Sequence, residues 1–258
     1  MKIVSFDLEG DFAAFRDPSV TSNQTVSTIP PKSALIGLIG ALIGLERSNS
    51  INELYCQDYL DLLRDSFVGI KVRNSPRKVS FFTNHRSLKE AKTKPFKTEL
   101  LVSPSYTIYV KSREDIIQKL LDVLEERSFK YCPTLGHAYC LARIPSYQDH
   151  EASEVEPDSR WISSVILDEA PETEGKGESM YRFSRKIMGG PVRLVLERHL
   201  HHHFRDSKLE KRVRRHWIPI PVGVEESRFR LSYASEQRPS FAKFFALDGV
   251  EDEAVCLY

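Results

Sequence analysis

The chain has 258 residues, of which 41% are hydrophobic and 28% charged, and its formal net charge is +1. This composition is typical of a folded globular protein, and it excludes a disordered tail, a collagen-like fibre and a disulfide scaffold. The four cysteines are scattered, the start of the chain has no signal-peptide layout, and the longest apolar run, residues 34–45, is too short to span a bilayer. We therefore expect a cytoplasmic protein with no membrane partner.

Charged residues are strongly segregated along the chain. Residues 71–97 contain nine lysines and arginines against one acid, whereas residues 149–178 contain ten acids against two basic residues. Residues 182–215 are basic again, with eleven lysines and arginines against three acids. This segregation predicts one surface that meets a polyanion and another that avoids it, although each run is also compatible with a plain solvated face.

The first part of the chain alternates between strand and helix patterns. Residues 2–8 alternate apolar and polar side chains and predict an opening strand, and a polar loop follows. Two prolines at 30 and 31 then start a helix over residues 34–46 that is apolar nearly all round. Because its three glycines lower helix propensity, we expect compensation by close packing of this helix on a sheet.

The next elements follow in the same way. Helical spacing recurs at residues 55–63, and residues 67–72 are apolar enough for a buried strand. Residues 99–110 predict either a pair of strands or one kinked strand, and residues 115–127 an amphipathic helix. Residues 131–144 predict a turn and then a strand.

The resulting order over residues 1–145 is β-α-β, a basic insertion, and β-α-β. This is the ferredoxin-like βαββαβ arrangement of an α+β fold, the sheet platform that RNA-recognition domains use. Residues 146–258 form a less regular C-terminal region, acidic and then basic, with strand-like stretches at 161–167 and 192–196 and a Gly-Gly turn at 189–190. We therefore divide the chain into a domain at 1–145 and a C-terminal extension at 146–258.

Three blocks of residues 1–145 resemble a known family. The first combines Phe-Arg at 15–16 with Pro-Pro-Lys-Ser at 30–33 and the glycine-containing helix; the second is Leu-Val-Ser-Pro-Ser-Tyr at 101–106; the third is Pro-Thr-Leu-Gly-His at 133–137. In this order and spacing they resemble the Cas-five family of the RAMP superfamily, the foot subunit of type I CRISPR Cascade surveillance complexes. The outline is most similar to type I-B.

The resemblance implies a fold, a function and partners. The fold is a RAMP ferredoxin-like domain from which a β-hairpin thumb protrudes, and the basic segment at about 74–98 lies where that thumb belongs. The implied function is to bind the 5′ handle of the CRISPR RNA (crRNA) and to cap the foot of the complex, in defence against foreign DNA. The implied partners are the large subunit, the first Cascade backbone subunit and, through the complex, target DNA.

RNA capture requires cations for the phosphates and planar groups for unstacked bases, and the sequence offers both in three places. The candidate RNA-binding residues are Phe15 and Arg16 in the loop after the first strand, Lys32 and Ser33 at the start of the glycine-containing helix, and Arg73, Arg77, Lys78, Phe81, Phe82, His85, Arg86, Lys92, Lys94 and Lys97 in or beside the thumb. The alternatives are that the hairpin is merely solvated, that Ser33 is only a helix cap or a first-turn residue and that Arg16 forms a structural salt bridge.

We expect neither a metal site nor a cofactor. A cluster at His199, His201, His202 and His203 lacks a ligand set at zinc spacing, so these side chains belong on a polar face, and Cys132, His137 and Cys140 fit core and turn positions. We also expect no catalytic residues. The alternative is a metal-independent endoribonuclease that processes repeat RNA, using His85 with Lys92 or Lys94, or His137 with Tyr131, but the spacing singles out no such pair.

Overall fold

The computed structural model describes residues 1–16, 24–46, 56–86, 92–169, 179–188, 192–203, 208–222, 227–234, 239, 241–250 and 252–258, with the backbone alone at 85, 159, 169, 184–188, 192–203 and 208–215. The described chain is a mixed α+β structure made mostly of strands. The strands are β1 (Lys2–Gly10), β2 (Phe12–Ala13), β3 (Phe67–Val72), β4 (Arg77–Arg86), β5 (Thr93–Val102), β6 (Ser105–Lys111), β7 (Ala142–Arg143), β8 (Tyr147–Glu154), β9 (Trp161–Ile162), β10 (Ile166–Glu169), β11 (Tyr181–Met188), β12 (Val192–His203), β13 (Lys208–Pro219), β14 (Arg228–Tyr233), β15 (Lys243–Leu247) and β16 (Glu253–Leu257). The helices are α1 (Lys32–Ile43), α2 (Gln57–Asp65) and α3 (Glu114–Glu125).

The largest sheet has the strand order β11-β14-β9-β16-β15-β8-β1-β6-β3, and β7 also pairs with β1. Within it, β1 is antiparallel to both β6 and β8, and β3 is antiparallel to β6. The alternation predicted for β1 is confirmed, because Val4, Phe6 and Leu8 are fully buried on one face. The polar residues between them, such as Asp7, therefore point to the opposite face.

Helices α1 and α3 belong to the core on the buried face of this sheet. Helix α1 buries Leu35, Ile36 and Leu42, and α3 buries Leu120 and Leu124. The predicted helices at 34–46 and 115–127 are thus confirmed to within a few residues. Helix α1 ends at residue 44, a glycine with φ of 84°, the left-handed conformation that commonly closes a helix.

The strand predicted within residues 131–144 is wrong. This segment is a loop with only the two-residue β7, although it buries Leu135 and Cys140. Gly136 has a φ of 95°, and a Cβ there would lie 2.3 Å from the carbonyl oxygen of Ala14. The apolar residues that suggested a strand therefore anchor a tight loop against the start of the chain.

The first strand of more than two residues after α3 is β8, in a stretch that the sequence marks only as acidic. It pairs with β1 on one side and β15 on the other, so the sheet joins strands from both sides of residue 145. Strand β16 approaches β3 closely, since a Cβ at Gly69 would lie 2.7 Å from the carbonyl oxygen of Cys256. The C-terminal region thereby completes the sheet that the first half begins.

Two three-stranded sheets extend from this core, β2-β5-β4 and β10-β13-β12. The predicted segment 99–110 is a pair of strands, parts of β5 and β6, separated at Ser103 with a φ of 47°. The stretch at 161–167 divides into β9 and β10, and 192–196 lies within β12, whereas the Gly-Gly turn at 189–190 lies outside the described residues. No helix in the described part of the chain is long and apolar enough to cross a membrane.

Candidate nucleic-acid interface

The basic segment folds as a long antiparallel hairpin of β4 and β5. Ten residue pairs align the strands, from Arg77 opposite Val102 to Arg86 opposite Thr93. The base of the hairpin is fixed to the body, because β2 pairs with β5 at Leu101 and the Lys78 Nζ donates to the carbonyl oxygen of Val26. The predicted hairpin at about 74–98 is therefore present and anchored.

The two faces of the hairpin follow from its register, since residues directly opposite each other share a face. One face carries Val79 and Phe81, each 40% exposed, with Phe96 beside them. The other face carries Phe82, which is 75% exposed, opposite Lys97. Each face therefore presents an aromatic ring that solvent reaches.

The basic side chains of the hairpin differ in what they face. Lys78 and Lys97 share Glu99, whose carboxylate oxygens lie 3.7 and 3.6 Å from the two ammonium nitrogens. The other cations are exposed and have no acidic partner among the residues that the structure describes; they are Arg77, Arg86, Lys92 and Lys94. These four unneutralised charges make the hairpin attractive to a polyanion.

His85 pairs through its backbone with Lys94, and its side chain lies outside the described atoms. The same holds for the histidine cluster at 199–203, which lies in β12 opposite residues 208–212 of β13. Where the structure describes side chains, no three His, Cys, Asp or Glu residues gather in a way that could hold a metal ion.

Arg73, at the foot of the hairpin, faces carboxylates. One of its terminal nitrogens lies 2.6 Å from Asp7 Oδ2 and 3.6 Å from Glu9 Oε1. These acids alternate with the buried residues of β1, but the sequence does not reveal that β3 would bring Arg73 to them. The charge of Arg73 is thus largely neutralised within the protein.

The prediction that Phe15 contacts RNA is wrong, because its side chain is 4% exposed and belongs to the hydrophobic core. Arg16 beside it is exposed and pairs through its backbone with Val26. Of this pair, only Arg16 is placed to contact a ligand.

At the start of α1, the residue before the first turn is Pro31, and no side chain caps the helix. Ser33 is therefore not a cap but an exposed residue of the first helical turn, the other form of its predicted alternative, and its carbonyl oxygen accepts a hydrogen bond from Tyr59. The Lys32 ammonium lies 5.4 Å from the ring centroid of Phe67. Lys32 therefore has an aromatic contact inside the protein, whereas Ser33 remains accessible.

The loop at 131–141 is an exposed aromatic surface that the sequence did not indicate. Tyr139 is 63% exposed and stacks on His137 with ring centroids 5.1 Å apart and 6° between the planes. Tyr131 and Leu141 are also exposed, at 47% and 59%. The signal was available in the aromatic residues of this segment, but the predicted turn and strand gave these side chains no surface role.

Comparisons with known proteins agree with this architecture. The sequence profile of the family described as CRISPR-associated protein (Cas_Cas5) matches residues 3–233. A CRISPR protein from Archaeoglobus fulgidus has a similar fold, with a TM-score of 0.58, 12% identity and 99% of each chain covered. A chain of a CRISPR RNA-guided surveillance complex matches more weakly, with a TM-score of 0.47, 14% identity and coverage of 89% of this chain and 91% of its own. No curated protein matches in sequence.

Proposed function

Because this chain belongs to the family described as CRISPR-associated protein (Cas_Cas5), we propose that it binds the 5′ handle of a crRNA and caps the foot of a type I surveillance complex. The hairpin carries this proposal: four of its basic side chains have no acidic partner among the described residues, and one of them, Arg86, shares a face with Phe82, which is 75% exposed. Cations bind phosphates, and an exposed aromatic ring receives an unstacked base.

The proposed RNA-binding domain is ferredoxin-like. The strand order β8-β1-β6-β3 with antiparallel neighbours, and the helices α1 and α3 in the two crossover connections, support this assignment. In this arrangement the hairpin is an insertion between the second and third strands of the domain. It is thereby placed at one end of the sheet, where it projects beyond the core.

The proposed protein partners are the large subunit and the first backbone subunit, with target DNA reached through the complex. The exposed side chains Val79 and Phe81 on one hairpin face, and Tyr139 and Leu141 on the loop, support contacts of this kind. Exposed apolar groups near charged residues are typical of interaction surfaces. A type I-B complex and a cytoplasmic location complete the proposal.

We propose a binding role without catalysis. The experiment is to incubate the purified chain with its cognate repeat RNA in EDTA and to analyse the products on native and denaturing gels. The proposal predicts intact RNA with shifted mobility. A specific cut that accumulates would contradict the non-catalytic role and favour the endoribonuclease, whereas intact and unshifted RNA would contradict RNA binding itself.

A further inference from the structure

The polar face of the large sheet forms a cavity that the hairpin does not reach. Strands β1, β3, β6 and β8 supply its floor, and Pro221, Leu247 and Val250 close part of its rim. Its volume is about 440 Å³, within the range of small-molecule pockets. The cavity lies on the side of the sheet opposite α1 and α3, because its lining residues alternate with the buried residues of β1.

The charged groups in this cavity are already neutralised. Asp7 accepts hydrogen bonds from the hydroxyls of Thr107 and Ser146, at 2.8 and 2.6 Å, in addition to its ion pair with Arg73. The Lys71 Nζ lies 3.8 Å from a carboxylate oxygen of Glu253. Because both cations have acidic partners, the cavity is poorly suited to a phosphate group.

Neutral hydrogen-bonding groups remain on the cavity wall. The Ser5 hydroxyl and His150 Nε2 are 2.8 Å apart, and His150 Nδ1 lies 3.7 Å from Asp248. Burial lowers the pKa of His150, against the opposing effect of Asp248 and Asp149, so its imidazole is uncharged at neutral pH. A neutral imidazole and a hydroxyl both donate and accept hydrogen bonds.

Two further side chains define what this wall can hold. Gln148 is exposed, lies opposite Ser5 in the β1–β8 register, and makes no side-chain hydrogen bond to any residue that the structure describes. Tyr109 also lies opposite Ser5, on β6, and lines the cavity with 8% of the residue exposed. Amide, imidazole and hydroxyl groups beside an aromatic ring are the chemistry that recognises a nucleobase edge.

We propose that this cavity binds a single unstacked ribonucleoside. The inference rests on the proposed function where the nucleoside belongs to bound RNA. Arg73, on the cavity wall, is followed four residues later by Arg77, the first residue of the hairpin. Four residues of extended chain span at most about 14 Å, so an RNA strand bound at the base of the hairpin lies within reach of the cavity wall.

The test uses Gln148→Trp, which fills the cavity from an exposed position, and Gln118→Trp on the exposed face of α3 as the matched control. Single-stranded handle RNAs, each with one abasic position, are titrated against the wild type and both variants. The wild type and the control should lose about tenfold in affinity at one abasic position, since stacking and edge contacts to one base contribute on that scale. Gln148→Trp should bind intact RNA about tenfold more weakly and show no further loss at that position.

Free ribonucleosides, titrated against the same three proteins, distinguish the two sources of the nucleoside. If a free ribonucleoside binds, Gln148→Trp abolishes that binding and no RNA position is sensitive, the cavity is assigned to a free nucleoside. If RNA binds but no position is sensitive and no free ribonucleoside binds, the cavity proposal fails while RNA binding stands. If no RNA binds to the wild type, the proposed function fails, and the nucleoside titration alone decides the cavity.

Discussion

At the scale of single residues, the basic side chains of the hairpin divide by whether a carboxylate faces them. Glu99 is the acid that faces both Lys78 and Lys97, and its side chain is 14% exposed. A half-buried carboxylate between two lysines lowers the positive potential that RNA phosphates encounter. Glu99 therefore weakens the electrostatic attraction between the hairpin and a polyanion.

Replacing Glu99 by Gln should strengthen RNA binding. Both lysines would lose their acidic partner, although Lys78 would keep its hydrogen bond to the carbonyl oxygen of Val26. Their charges would become available to phosphates, so we expect about three- to tenfold higher affinity at low salt, in line with the strength of charge-assisted hydrogen bonds. Fluorescence anisotropy with labelled handle RNA measures the change, and Glu125→Gln on α3 controls for net charge. Equal or weaker binding by the Glu99 variant would show that the two lysines do not contact RNA.

Phe82 provides a second residue-scale prediction, because its ring is 75% exposed and contributes little to the core. Phe82→Ala should weaken binding of single-stranded RNA by about 1–3 kcal/mol, the usual loss for one base-stacking ring, with Tm unchanged. Phe15→Ala should lower the Tm and have little direct effect on RNA affinity, because the Phe15 ring is 4% exposed. Normal RNA affinity of the Phe82 variant would show that no base stacks on this face.

The pH dependence of stability should report on His150. Burial lowers its folded pKa below 6.5, so the unfolded chain binds the proton more readily, and stability falls as the pH drops through 6.5. His150→Gln keeps a hydrogen-bonding partner for Ser5 but does not titrate. Urea denaturation between about pH 7.5 and 5.5 should show a smaller loss of stability for this variant than for the wild type, in the range where an ordinary histidine titrates. Identical losses would mean that His150 ionises equally well in the folded chain.

At the scale of elements, the glycines of α1 do not all serve close packing. Gly37 is exposed, and a Cβ there would meet no atom within 4 Å, so the expected packing of this glycine on the sheet is wrong. Gly44 instead closes the helix in the left-handed conformation. The glycine that allows two elements to approach closely is Gly69, where β3 lies against β16.

Gly37→Ala should therefore stabilise the protein by about 0.5–1 kcal/mol, through the higher helix propensity of alanine. Gly69→Ala is the contrasting variant and should destabilise it, because its Cβ would lie 2.6 Å from a methyl carbon of Leu257. Chemical denaturation of both variants measures the two effects. Loss of stability in Gly37→Ala would indicate a contact that the exposed position does not show.

The elements that the sequence predicts correctly are those whose side-chain pattern matches one buried face. Strand β1, strand β3 and helix α3 all show such a pattern. Strand β8 shows none: it is polar except for Tyr147 and Ala152, and backbone pairing on both sides makes it a strand. Residues 131–144 fail in the opposite way, since their apolar side chains pack from a loop.

The same limit applies to the candidate site. The basic, aromatic hairpin is readable from local sequence, because all of its residues lie within one short segment. The acidic partners of its basic residues are not readable from local sequence. The Arg73–Asp7 pair, for example, depends on strands β3 and β1, which are far apart in sequence. The cavity is not predictable from local sequence either, because Ser5 and His150 are far apart in the chain and meet only through the pairing of β1 with β8.

At the scale of the whole molecule, the net charge of +1 conceals a separation into an anchored basic hairpin and acidic stretches elsewhere. The hairpin projects from a body that completes its own core with β15 and β16. Long-range attraction of RNA and contact with it would therefore be concentrated on one element. The central claim is that unneutralised cations of this hairpin bind RNA phosphates.

The most direct test is the salt dependence of single-stranded RNA binding. The four hairpin cations that have no acidic partner among the described residues predict a slope of about −3 in a plot of log Kobs against log salt concentration, at about 0.7 per phosphate contact. The triple variant Arg86→Gln, Lys92→Gln, Lys94→Gln should reduce its magnitude by about 2, whereas Lys2→Gln, Arg64→Gln, Lys119→Gln, with the same net charge and no change in the hairpin, should leave it near −3. An unchanged slope in the hairpin variant, or an equal reduction in the control, would contradict the claim.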